Sequence, residues 1–506
     1  MIRIELTAAI DAAGTLQTFY LSDTDLATTP TDTPANQAFV PRLIDAGRLG
    51  VNAFSDGRTG GGTKLETGEI VIANADGVLD DWINYSFDGR PVKIRSGEPG
   101  AAYPAGFALI LSGTVESIDA SFETIIVRLR DKQFILDKPV LSNQYAGNNA
   151  LPNGLEGLAT DLKGRRKPRA YGKVFNVAPP LVNTLRLIYE VGVAATVDAV
   201  YDRGLVLTAG AAYASQADME ANAPAAGQYR AWAAGGYIRL GSNPAGLITA
   251  DLTQGATAAA RTAGQILQQL ALSAGLTAGE VSAADVTALD ALNSAVVGIW
   301  LDGETTFREA MDQVAASIGA YYAFDSTGLL RMGRLSTPAG APVATLELYD
   351  YKRDVQRQAP RDNGVPIWRA TVRHSRIWNV QGSDLAGGVA ADRRAYLAEE
   401  ARAEKTEDAA IKTQWTLAGE AEFETLLTSA ADAQAEAARL LALYKVRRDI
   451  FEVPVPISYL SANPLRIMDL VQMKMPRFGM AAGRLFRVLG IRIELGNKQA
   501  LLTLWG

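Results

Sequence analysis

Lys163-Gly-Arg165-Arg166-Lys167-Pro-Arg169 is the densest run of cations in the chain. Guanidinium and ammonium groups this close together can hold phosphate or carboxylate oxygens. A nucleic-acid patch would also want aromatic rings interleaved to stack bases, and only Tyr171 stands nearby. The other readings are a solvated loop, or a loop facing an acidic protein partner with Lys163, Arg165, Arg166, Lys167 and Arg169 as the contact residues.

Other chemistry is harder to assemble. Gly57 to Lys64 brushes against a phosphate-binding loop, but a P-loop needs Gly-Lys-Ser/Thr and a helix behind it, and here a strand-like Leu-Glu-Thr-Gly-Glu-Ile follows. Asp80, Asp81 and Glu116 supply carboxylates for a glycosidase-type acid/base pair, which must sit about 5–10 Å apart across a sugar cleft. Asp80-Asp81-Trp82 follows a turn, where such residues are more often surface and capping chemistry. His374 lies in an alternating stretch with no Gly-x-Ser-x-Gly elbow anywhere, so it reads as a structural histidine. With no cysteine and one histidine, thiolate sites, disulfides and histidine clusters are excluded within one chain. No cofactor or metal is implied, and no enzyme activity is assigned.

The 506 residues, 48% hydrophobic and 21% charged, match a globular chain of about three or four domains. The balance of 49 basic and 55 acidic residues, net −6, disfavours broad nucleic-acid binding. Ile2, Ile4 and Leu6 alternate with charged residues, a strand pattern rather than a signal peptide. No apolar run reaches the ~18 residues of a membrane span. Synthesis in the cytoplasm is the expectation.

These residues need elements to hold them. An apolar run at Ile70–Ala73 leading to a turn, alternation at Val92–Arg95 and Ile125–Arg130, and Leu109–Ile118 between them predict short strands in a barrel or sandwich, with a bulge or turn at Ser112-Gly113. Residues 140–250 are punctuated by prolines and glycines, and Ala209 to Ala234 fits helix or turn. Ala259, Ala263, Ile266, Leu267 and Leu270 predict one helical face; Phe307, Ala310, Met311, Val314 and Ile318 predict another, opened by a Thr306–Glu309 capping box. A hairpin around Asp325 to Gly328 follows. Gly382 to Glu407 is charged and reads as a loop or insertion. Ala430, Ala433, Ala437, Leu440 and Tyr444 line a helix. Phe451, Val453, Val455 and Ile457 then face one way, with Pro454 and Pro456 marking an edge or strand end. A last hairpin turns at Gly496-Asn497. The outline is β-rich α+β and multidomain: residues 1–150 as a β-barrel region, 151–250 mixed β and irregular, 251–340 a small α/β module, 341–506 β-rich with one helix.

Asp161 to Pro179, Gly236 to Asp251, Ile318 to Leu335, and Met475 to Gly506 occur in an order that resembles the tail hub, or baseplate hub, proteins of tailed bacteriophages and prophages. Asn74-Ala-Asp76-Gly77-Val-Leu-Asp80 and Gly89-Arg90-Pro91 add to the likeness, which spans most of the chain. The resemblance implies two tube-type β-barrels per subunit and a homotrimeric ring at the virion tail tip. That ring would adapt a sixfold tail tube or distal tail protein to threefold tip, fibre or other baseplate proteins. It would also meet the tape-measure protein and pass DNA during ejection. Some related tip proteins hold an iron–sulfur cluster on cysteines, which this chain lacks. A receptor- or glycan-binding tail protein and a cell-wall or polysaccharide hydrolase are the competing readings.

Overall fold

The computed structural model describes residues 1–54, 64–130, 132–325, 327–351, 355–358 and 366–506, with 64–67 and 358 given by backbone alone. The alternation at the N-terminus does what its period requires: Ile4 and Leu6 are fully buried on one face of strand Ile2–Ala9. This strand belongs to a seven-stranded sheet ordered Leu16–Ser22, Ile2–Ala9, Pro91–Gly97, Phe107–Ala120, Thr124–Arg130, Glu69–Ala73 and Leu43–Asp45. Every neighbouring pair runs antiparallel. Phe107–Ala120 continues through Ser112-Gly113, and its register slips on either side, between Leu109 and Leu111 and between Val115 and Ser117. Such bulges bend a strand and sharpen its twist, which curls this sheet into an open half-barrel. Its core includes Ile70, Ile72, Val92, Ile94, Ile125 and Val127.

The C-terminal sheet runs Ala344–Leu346, Leu470–Met473, Arg484–Glu494, Gln499–Trp505, Ile450–Pro456 and Gln356–Gln358. The predicted last hairpin is its centre. Pro454 and Pro456 pair with Gln499–Trp505, while Gln356–Gln358 reaches only Ile450 to Glu452, so neither proline is asked for a second ladder bond. Arg48–Asn52 leaves the first β-region and pairs antiparallel with Gly490 to Glu494, carrying Lys64–Thr67 with it. The two terminal β-regions are therefore stitched together through one strand.

Between them, two five-stranded sheets share the stretch from Arg169 to Gln254; one continues to Gly298–Leu301. The undecided Ala209 to Ala234 stretch forms a short helix, Gln216–Ala221, and strand Gln228–Trp232. Helix Ala263–Ala274 starts one turn later than its apolar pattern, because the Thr262 hydroxyl accepts from Gln265 N at 3.3 Å and sets the N-cap. Helix Phe307–Ala316 has the expected capping box, and hairpin Ala320–Phe324/Leu330–Arg334 follows. All five predicted apolar positions from Phe307 to Ile318 are buried in the largest core. Helix Ala430–Tyr444 packs on a three-stranded sheet centred on Ile367–His374. The presumed loop at Gly382 to Glu407 contains helix Ala391–Ala398 and strand Arg402–Glu407. That strand alternates half-buried and exposed residues at the sheet's edge, so it has no apolar period to read.

Candidate interaction surface

The basic run is shaped by a short ladder. Tyr145 N donates to Arg165 O at 2.9 Å, Gly164 N to Tyr145 O at 3.0 Å, and Lys167 N to Asn143 O at 3.0 Å, before strand Arg169–Val177 begins. Exposure and pairing along this ladder divide the five cations. Lys163 and Arg165 are exposed with no carboxylate partner among the described residues, and Arg169 is exposed above the Tyr171 ring, 4.9 Å from its centre. Arg166 turns to Glu304 at 3.1 Å. Lys167 binds Glu156 at 2.5 Å and lies 5.2 Å from the Tyr145 ring centre. Two of the five are thus spent inside the fold, leaving Lys163, Arg165 and Arg169 to face outward.

Behind Lys167 sits a buried acid. Glu190 is 5% exposed, with its carboxyl beside the Tyr145 hydroxyl. Burial pushes its carboxyl up, against the opposing pull of the Tyr145 hydroxyl and Lys167. Glu156 is held down: burial opposes ionisation there, but the hydrogen bonds from Lys167 and Ala146 N outweigh it. Because the folded-state value of Glu190 lies above the unfolded one, the charged form weakens the fold as pH rises from about 4.3 through the folded value. Glu190→Gln should therefore melt increasingly above the wild type as pH climbs over that window. Thermal unfolding of both proteins across acidic to neutral pH checks this, and a constant offset would reject it.

The other sequence candidates do not converge. Gly57 to Thr63 lies outside the described residues. Asp80 accepts from Asn74 Nδ2 at 2.9 Å at the start of a 3-10 turn, Asp81 lies in the same turn, and Glu116 pairs with Arg130 at 3.3 Å on a sheet. His374 is buried on its strand, and burial pushes its pKa down against the pull of Glu404, 3.8 Å from its Nε2. Its Nδ1 lies 2.9 Å from Ser375 Oγ, which donates to Thr428 O at 3.0 Å. The hydroxyl proton is committed to a carbonyl, as in a structural bond rather than an activated nucleophile. Among the described residues no three His, Cys, Asp or Glu side chains could gather a metal, and no helix is long and apolar enough to cross a membrane.

The residues that carried the resemblance are pivots of the fold. Gly172 has φ +69° and faces Gly298 across the ladder, where the backbones come close. Asn176 also has a positive φ, +52°, and is fully buried. Its N–H donates to Asp251 Oδ1 at 2.8 Å and its amide to Asn379 O at 2.6 Å. The first two motifs therefore meet along a strand pair, where Val177 also faces Ala250. Gly236 has φ +79°, and a side chain there would strike the Gly192 carbonyl. Arg334 of the third motif binds the buried Glu436, and Arg484 of the fourth binds the buried Asp449. Sequence reading missed Glu436, although a carboxylate between Ala433 and Ala437 on an apolar helical face is itself a signal of a buried charge.

No family model matches the sequence, and no curated protein matches it. Solved structures do resemble it. A tail protein from Neisseria meningitidis MC58 aligns over 92% of this chain and 95% of its own, at 11% identity and a TM-score of 0.43. The tail protein of prophage MuSo2 from Shewanella oneidensis aligns over 100% and 96%, at 11% identity and a TM-score of 0.42. A chain of the native gene transfer agent virion aligns over 73% and 91%, at 16% identity and a TM-score of 0.42.

Proposed function

We propose that this chain is a non-enzymatic structural protein of a phage or prophage tail, and specifically a homotrimeric hub at the tail tip or baseplate. Its terminal β-regions would act as tube-type barrels beneath a sixfold tail tube or distal tail protein, with tape-measure and fibre or baseplate proteins as neighbours and a channel for DNA. The observation that carries the reading is the ordered set of motifs from Asp161 to Gly506, several of which occupy positions that the fold cannot fill otherwise. Sheet edges without a strand partner among the described residues support it, since such an edge is a surface for assembly. The divisions near 150, 250 and 340 remain the proposed domain borders, with Arg48–Asn52 lent across to the C-terminal sheet.

Solution mass followed by negative-stain microscopy tests the reading. A channelled particle of about 160 kDa, three chains of 53.9 kDa, is the expected result, alone or with tube protein present. A monomer that ignores tube protein and binds glycans would overturn it. Lys163→Glu with Arg165→Glu should leave melting unchanged within about 0.5 kcal/mol, because both side chains are exposed, yet slow association with the subunit or tube. Unaltered association would remove the basic run from the interface.

A further inference from the structure

Strand pairing gathers three loops at one end of the seven-stranded sheet. Ala9 faces Leu16, Thr114 faces Pro91 and Thr124 faces Ala73, so the turns 10–15 and 121–123 and the crossover 74–90 all lie there. The crossover links strand Glu69–Ala73 to Pro91–Gly97, passing the ends of the two strands that separate them. It is held along its length. Asn74 N donates to Glu123 O at 2.7 Å, and Ser86 N to Ala9 O at 2.9 Å. The buried Asn74 side chain folds the turn, accepting from Leu79 N at 2.8 Å and donating to Asp80 Oδ1 at 2.9 Å. Trp82 plugs the core beneath, its ring 4.7 Å from Phe19 and 5.0 Å from Phe87.

These anchored loops turn apolar side chains outward. Phe122 is 92% exposed at its hairpin tip, Val78 67% and Ile83 66% on the crossover, and Leu16 57% where its strand begins. One exposed apolar residue needs no explanation, but four at the same end of a sheet mark an interaction surface. The charge around them has one sign. The three loops hold Asp11, Asp76, Asp80, Asp81, Asp88 and Glu123 against a single cation, Arg90. Arg42 reaches in from outside and grips Asp76 with both arms, at 2.7 and 2.5 Å. Asp81, Asp88 and Glu123 are exposed beside the apolar residues.

We propose that this end of the sheet docks a basic segment of a protein partner, with Phe122, Val78, Ile83 and Leu16 as its apolar contacts. The partner's lysines or arginines meet Asp81, Asp88 and Glu123, and apolar residues between them cover Phe122 and its neighbours. Because the loops are already held by Asn74 and Trp82, docking loses little ordering entropy. The same carboxylates repel a nucleic-acid backbone and an anionic membrane. A zwitterionic lipid surface would take the apolar tips but offers the carboxylates no fixed counter-charge. This docking surface stands independently of the tail role.

The test is fluorescence anisotropy of the full chain with a labelled peptide repeating Lys-Lys-Leu, and in parallel co-sedimentation with phosphatidylcholine vesicles. The peptide should bind with a marked salt dependence, and Phe122→Ser and Glu123→Lys should each weaken it by ~10-fold or more. Both side chains are exposed, and unchanged melting confirms that the variants fold. Asp392→Lys, an exposed acid on helix Ala391–Ala398, should leave peptide binding as it was. Four results would each overturn the proposal: no peptide binding, equal binding by all variants, a loss in Asp392→Lys as large as in Glu123→Lys, or vesicle binding that Phe122→Ser abolishes. The third would show attraction to the chain's net charge alone, and the last would point to a lipid surface.

Discussion

Glu436→Gln should remove about 3 kcal/mol or more of folding stability, because it strips the paired carboxylate from the buried guanidinium of Arg334 and the half-buried one of Arg439. Glu436 is 3% exposed in the middle of helix Ala430–Tyr444. It accepts from Arg439 Nε at 2.9 Å and Nη2 at 2.6 Å, and from Arg334 Nη2. Arg334 also donates to Ile318 O at 2.6 Å and Leu292 O at 3.1 Å, and Arg439 Nη1 to Leu335 O at 3.1 Å. One carboxylate therefore organises the contact of this helix with the end of helix Ala283–Leu292 and with hairpin Ala320–Arg334. Burial, then the Arg439 charge, bring the Arg334 guanidinium down to about 10, even with Glu436 in place. Without it, two cations would face each other beside an open cleft of about 220 Å³ that both arginines line. That access keeps the expected loss at the lower end of the ~3–5 kcal/mol found when a buried pair is broken. Denaturation followed by tryptophan fluorescence should show an earlier midpoint. Arg334→Met combined with Glu436→Met should recover part of the loss, since the remaining arginine is the more exposed one. A single variant that unfolds with the wild type would show that the triad is already solvated.

This triad also marks where sequence reading stops. Periods of two and 3.6 are local, so strands such as Ile2–Ala9 and helices such as Phe307–Ala316 were legible within a few residues. Strand Arg48–Asn52 was not, because its partner Gly490 to Glu494 lies at the other end of the chain. The basic run shows the same division. Five cations in seven residues are plain in the sequence, but Glu304, which neutralises Arg166, is 138 residues away. A cluster at Asp449 draws on Arg357, Arg447 and Arg484, and no window of the sequence holds all of them. Cation clusters are thus found in sequence only when they are contiguous, and contiguity tells nothing of which members remain free.

Gly172→Ala and Gly298→Ala should be damaging for reasons that the motif alone does not reveal. The two glycines face each other where strand Arg169–Val177 pairs with Gly298–Leu301. A methyl on Gly172 would overlap the Val297 carbonyl and come within 2.9 Å of Ile266 Cδ1; one on Gly298 would overlap the Lys173 carbonyl. At Gly172 the φ of +69° adds a left-handed penalty of about 1–2 kcal/mol to overpacking of about 1–3 kcal/mol. At Gly298 the clash is with backbone, which cannot rotate aside. Gly279→Ala is the matched control: nothing lies within 4 Å of its added carbon and its φ is not positive, so its effect should stay within about 0.5 kcal/mol. Denaturation midpoints and soluble yield separate the three variants, and a near-neutral Gly298→Ala would refute the close approach. The same pair has a consequence for assembly. Strand Arg169–Val177 fixes the end of the basic run against the helical core through this ladder. Gly298→Ala should therefore lose association and stability together, while Lys163→Glu with Arg165→Glu loses association alone. That contrast distinguishes a surface that docks from the scaffold that presents it.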